Sequence, residues 1–199
     1  DVTEHSFATF VNSTIFFMFL SVVPLLSMIS GWLFFSFGSG DQFQTVFKRI
    51  RRRAVSLYLP FVFWNACIMA LLYALYKTNT EYPLLSQLNM DFDTATYKAY
   101  INGIFGLTQR PIGFQFWFVR DLFVTVLISP LFLLALRRAP WLGVAVLGAA
   151  WLAAFPMGIF FRPDVPFFFY MGALVQMKQM PLGIPRKAAI GMAGAFVTL

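Results

Sequence analysis

KRIRRRAVSLYLPFVFWNACIMALLYALY, residues 48–76, is the stretch that decides the fold. Five arginines and lysines in six positions run directly into Ala54–Tyr76, a segment without a single charge. A helix needs about 20 apolar residues to cross the hydrocarbon core of a bilayer, and basic residues collect at its cytoplasmic end. The stretch therefore reads as a transmembrane helix entered from the cytoplasm. Working outward from it, comparable apolar runs occupy Thr14–Phe37, Phe114–Leu136 and Trp141–Phe161. Val165–Met177 is short for a span, and a last run begins near Ala188. These runs are long and lack the strict residue-by-residue alternation of a membrane barrel, so helices are expected.

The sequence thus predicts an all-α membrane protein, a polytopic transmembrane helix bundle with about six spans. They lie roughly at 14–37, 54–76, 114–136, 141–161, 165–177 and 188–199, in one domain over 1–199. Composition agrees. Of the 199 residues 59% are apolar and only 12% charged, and 26 are phenylalanine. Soluble chains run nearer 45–50% apolar and about 25% charged. A cytosolic enzyme, a disordered chain and a disulfide scaffold are excluded. The one cysteine, Cys67, makes no internal disulfide or thiolate metal site. The one histidine, His5, leaves little for zinc, and no metal is expected.

Charge sets the orientation. With Lys48–Arg53 inside, the clusters Arg137–Arg138, Lys178 and Arg186–Lys187 also fall inside, ten basic residues against five outside. Seven of the eight acids fall outside. The net charge of +7 then reflects topology and anionic lipid, with no call for nucleic acid. The chain starts at Asp1 with a polar run that is not a signal peptide and stops inside an apolar stretch. It reads as the interior of a longer protein, with at least one span before Asp1. Lys77–Gly113 is the longest polar connection. It holds YINGIFGL (100–107), whose glycines suit a re-entrant or interfacial segment.

Three places can carry chemistry. The basic run stops translocation and binds lipid head groups; read more sharply, Arg49 and Arg52 share a helix face three apart, and guanidinium forks suit phosphate oxygens. In FWFVRDLF (116–123), Arg120 and Asp121 are ionisable groups near or inside the membrane, functional candidates by default, or an interfacial pair beside an aromatic-belt residue, Trp117. Adjacent residues do not face each other on a helix, so Arg120 and Asp121 are expected to have different partners. In VPLLSMISGWLFF (23–35), Pro24 interrupts the helix, while Ser27, Ser30 and Gly31 form a small face for close helix packing or, less simply, the wall of a cavity. His5 lies in a polar stretch with no carboxylate evident to orient it, and Cys67 reads as a small packing residue.

Together these segments resemble integral-membrane acyltransferase family 3, the bacterial group that includes surface-polysaccharide O-acetyltransferases. The pieces are VPLLSMISGWLFF (23–35), FKRIRRRAVSLYLPFVFWN (47–65), RPIGFQFWFVRDLFVTVLISPLF (110–132) and VPFFFYMGALV (165–175). The most specific is the RDL segment joined to a Ser-Pro. The resemblance implies a bundle of about ten helices in the intact protein, in the bacterial inner membrane. It implies transfer of an acetyl or other acyl group from acetyl-CoA or another acyl-CoA to a hydroxyl of a carbohydrate or lipid-linked glycan. It places the donor-binding arginines within Arg49–Arg53, with Arg49, Arg52 and Arg53 the candidates, and matches Arg120 to the family's RDL arginine. Arg120 and Asp121 are then the candidate catalytic residues. The family's catalytic histidine follows an apolar stretch; His5 does not, so that histidine is expected upstream. Rival readings are a transporter or flippase for an envelope precursor, which explains a broken-helix bundle equally well, and an anchor organising other envelope enzymes.

Overall fold

The computed structural model describes residues 9, 12–13, 22–37, 41–78, 92, 95–155 and 158–180. Among these residues the structure is helical, without strands. Helix α1 is Val22–Phe34. Helix α2 (Gln42–Arg53) passes through a π-helical turn (Ala54–Tyr58) into α3 (Leu59–Lys77). Then come α4 (Tyr97–Phe105), a 3-10 turn (Phe114–Phe116), α5 (Trp117–Leu127), α6 (Ser129–Arg138), α7 (Pro140–Leu152) and α8 (Asp164–Met177).

Gln42–Lys77 is one unbroken helix of 36 residues, about 54 Å at 1.5 Å per residue. Asp41 caps its start, its carboxylate accepting from Phe43 N at 2.9 Å. Pro60 explains the π turn. A proline has no N–H to offer the carbonyl four residues back and its ring collides with that carbonyl. The extra residue of a π turn opens the spacing, and Leu59 N bonds Ala54 O five residues back.

The Ser-Pro step has a similar logic. Pro130 cannot donate to Val126 O, and Ser129 Oγ supplies that bond instead at 2.6 Å. The expected span Phe114–Leu136 is consequently two helices, α5 and α6, bent by 56°. Trp141–Phe161 also differs from expectation. Its helix stops at Leu152 and the chain turns through Ala154, a non-glycine residue at positive φ, before α8. Pro156 and Gly158 in the sequence were the available signal for that stop, outweighed by the apolar residues around them. The predicted run 188–199 and the first part of 14–37 lie outside the described residues.

Gln42–Lys77 is the one described helix long and apolar enough to cross a membrane alone; α5 and α6 pass the same test only as a bent pair. Little of its apolar length is buried against protein. Large apolar side chains stand on the outside elsewhere too, among them Leu59, Leu71, Leu131, Trp141 and Leu152.

The core is aromatic. Phe34, Phe35, Val126, Phe132, Leu133, Phe169 and Tyr170 are buried together, with Phe34 and Phe132 both against the Phe169 ring. Helix α1 meets α8 backbone to backbone. A Cβ on Gly31 would overlap the Phe169 carbonyl, and one on Gly172 would overlap that of Met28. The small face at Ser27–Gly31 therefore serves close packing.

Helix α4 runs back along α3. Tyr100 lies by Tyr73, Gly103 by Met69, and the Phe105 carbonyl accepts from Tyr58 Oη at 3.2 Å. The loop after α4 thus sits beside the first half of α3, far from the Lys77 end.

Candidate functional site

Arg120 and Asp121 begin in the second turn of α5 and are almost wholly buried, 5% and 0% exposed. They bond each other, Arg120 Nη1 to Asp121 Oδ1 at 2.8 Å. This corrects the expectation of separate partners. Their Cβ atoms do diverge, but the long arginine stem folds back around the helix, as a shorter basic side chain could not.

The pair is a hub for three segments. Arg120 Nε donates to Gly106 O and Nη2 to Leu107 O, both at 2.8 Å. Nη1 also donates to Ile159 O. The guanidinium lies 4.3 Å from the Phe161 ring centre. Asp121 Oδ2 accepts from the backbone N–H groups of Phe161 at 2.9 Å and Arg162 at 3.0 Å. Gly106 has φ +58 at the end of α4, a left-handed cap that glycine adopts without strain, and a Cβ there would press on Arg120 Cγ and Phe61 Cζ. One carboxylate and one guanidinium therefore pin the end of α4 and the α7–α8 loop to α5.

Asn65 makes a second pin. It is fully buried in α3, donates to Phe61 O at 2.8 Å and accepts from Gly113 N at 3.0 Å. The sequence reading missed it. The available signal was a lone amide inside an apolar run, which hydrocarbon does not tolerate unsatisfied. Tyr58 stacks on Phe123 at 4.5 Å and closes the gap between the π turn and α5.

Arg162 and Asp164 also went unremarked. The Arg162 guanidinium lies 5.1 Å from the Trp117 ring and 2.9 Å from Asp164 Oδ2. Asp164 is buried at the start of α8, while the Arg162 side chain is 45% exposed.

The basic run divides in two. Arg49 donates to the carbonyls of Leu33 (2.9 Å), Phe34 and Ser36 (2.7 Å), capping the C-terminal end of α1 with positive charge. Arg51 and Arg52 are exposed and Arg53 half-buried. At the other end of α2, Arg137 donates to Gln42 Oε1 at 2.8 Å and covers Phe43, so the C-terminal end of α6 packs on the start of that helix. Phe61, against the Arg120 hub, is eight residues beyond Arg53 on one continuous helix, about 12 Å along its axis. The two candidate sites thus lie at nearby levels along that helix. His5 lies outside the described residues, and Cys67 is exposed. No group of three metal-ligating side chains occurs among the described residues.

A family model described as an acyltransferase domain, acyltransferase family 3, matches residues 2–199. The chain belongs to acyltransferase family 3. It is also similar to the succinoglycan biosynthesis protein ExoH of Rhizobium meliloti (strain 1021), 27% identical over 177 residues. That match covers 89% of this chain and 46% of ExoH, so the chain spans about half the length of the curated relative it matches. No solved structure matches it.

Proposed function

We propose that this acyltransferase family 3 chain is the core of a multi-pass protein of the bacterial inner membrane. It moves an acetyl or other acyl group from a coenzyme A thioester to a hydroxyl of a sugar in an envelope glycan. The resemblance to a succinoglycan biosynthesis protein favours a polysaccharide or its lipid-linked precursor as acceptor. The apolar exterior of Gln42–Lys77, with 22% of its most apolar window buried, favours lipid contact over the core of a soluble fold. In that setting α4 is a re-entrant helix.

The supporting observation is the short axial separation between Arg53, at the end of the basic run, and Phe61 against the Arg120–Asp121 hub. Arg52 and Arg53 have no recorded side-chain partner among the described residues and are free to take phosphate oxygens. Arg49 holds α1 in place beneath them. The thioester then extends along α3 toward the level of Tyr58 and Phe61. There the acceptor hydroxyl oxygen attacks the acyl carbon and gives up its proton, the C–S bond breaks, and the departing sulfur takes up a proton, so that ester and free thiol result. Arg120 and Asp121 contribute by fixing the walls of that place, since four N–H directions of Arg120 already point at protein atoms.

The test is radiolabelled acetyl-CoA with membranes carrying the full-length protein and the Arg52→Ala, Arg53→Ala double variant. The wild type labels envelope glycan, and the variant raises the acetyl-CoA KM by about tenfold or more, the worth of one lost charge-assisted bond. A wild type that forms no ester with any envelope glycan refutes the enzyme reading, and a carrier would return its substrate unchanged.

A further inference from the structure

Arg120 is too enclosed to be the arginine that meets substrate. Arg162 is not. Its backbone N–H is fixed by Asp121 Oδ2, its guanidinium rests over Trp117 and its Nη2 faces Asp164 Oδ2. Nearly half of the side chain nevertheless remains open, 45% against 4% for its carboxylate partner. Neither Asp164 carboxylate oxygen has a hydrogen-bond partner among the described residues, so this buried carboxylate has the Arg162 ion pair as its compensation there. A buried carboxylate attracts an adjacent guanidinium, since an unpaired charge there is costly. The result is an arginine drawn toward Asp164 and Trp117 with nearly half of its side chain still open.

From this we infer that Arg162 is the acceptor-binding arginine, positioned by Asp164 and Trp117, and that its ligand is an uncharged polyhydroxyl group, the face of a neutral sugar. The inference rests on the acyltransferase reading and names the acceptor subsite within it. Charge balance selects the ligand class. Arg120 is neutralised by Asp121, and Arg162 by Asp164, so neither pair carries surplus positive charge to draw an anion. The outward N–H groups of Arg162 suit hydroxyl and ring oxygens. Ile159, whose carbonyl is held by Arg120 and whose side chain is exposed, suits the C–H face of a pyranose ring.

The experiment uses the full-length protein in detergent, with wild type, Arg162→Gln, Arg162→Lys and Asp164→Asn. KM values for acyl-CoA and for a neutral oligosaccharide acceptor are measured separately, and oligosaccharide binding is read by equilibrium dialysis without donor. Arg162→Gln raises the acceptor KM about tenfold, leaves the acyl-CoA KM unchanged and weakens binding in parallel. Arg162→Lys restores little, because lysine lacks the planar fork. Asp164→Asn shifts the acceptor KM in the same direction. Raising salt from 50 to 300 mM leaves the wild-type acceptor KM within about twofold, since no net charge attracts the ligand. An unchanged acceptor KM in Arg162→Gln, a rise confined to acyl-CoA, or a strongly salt-sensitive acceptor KM each overturns the inference. Should the wild type form no ester, the enzyme reading fails on its own. Loss of oligosaccharide binding in Arg162→Gln would still support the subsite, and equal binding would sink it.

Discussion

Replacing Arg120 by methionine keeps an unbranched apolar stem and removes every donor. Asp121 is left as a fully buried carboxylate without its cation, and breaking one partner of a buried pair costs about 3–5 kcal/mol. The carbonyls of Gly106, Leu107 and Ile159 lose a donor each, at about 1–3 kcal/mol for any that stays dry. These terms overlap, because the freed loops move toward water, so the expected loss is about 4–5 kcal/mol. That is a large part of the 5–15 kcal/mol that separates most folded domains from unfolded chains. Adding Asp121→Asn removes the stranded charge while keeping one oxygen for the Phe161 and Arg162 amides. The double variant is therefore more stable than Arg120→Met alone, by about 1–3 kcal/mol. Equilibrium unfolding of the full-length protein in mixed micelles, followed by tryptophan fluorescence, measures both. A loss under about 1 kcal/mol for Arg120→Met, or a double variant no better than the single, would refute the hub and leave Arg120 free to bind substrate.

Other positions give independent checks. Gly31→Ala puts a methyl group into the Phe169 carbonyl and loses about 1–3 kcal/mol in the same unfolding assay, while the equivalent change at Gly158, where nothing lies near, meets only its positive φ. Asn65→Leu strands Gly113 N and speeds hydrogen–deuterium exchange across 106–113, with exchange in α8 unaffected. Ser129→Ala frees the Val126 carbonyl and costs about 1 kcal/mol, measured as a lowered unfolding midpoint. Pro60→Ala lets an ordinary α-helix replace the π turn; thermal stability holds or rises, yet the acyl-CoA KM increases because Arg52 and Arg53 rotate away.

The helical class was legible from the apolar runs alone, and the close-packing role of Gly31 from its small neighbours. The length of Gln42–Lys77 was not. Arg51–Arg53 look like a boundary, but arginine is a good helix former and nothing between Arg53 and Pro60 breaks the chain. The Arg120–Asp121 bond was hidden because spacing rules describe where Cβ atoms point, not where a long flexible stem ends. The return of α4 along α3 showed only as glycines in an apolar piece. Asn65 and Gly113 stand 48 residues apart, and no local pattern announces that they meet. The RDL-to-Ser-Pro segment stood out in the sequence as a candidate, while the anchoring bonds of its arginine needed the three carbonyls that surround it.

The π turn also bears on how relatives should be compared. One extra residue is taken up between Ala54 and Leu59, so residue count and angular position fall out of step there. Two homologues can aim their arginines in the same compass direction while their sequences differ by one position upstream of the proline. A single-residue gap placed at Ala54–Tyr58 is then the structurally correct alignment, and an ungapped one would pair the wrong guanidinium groups.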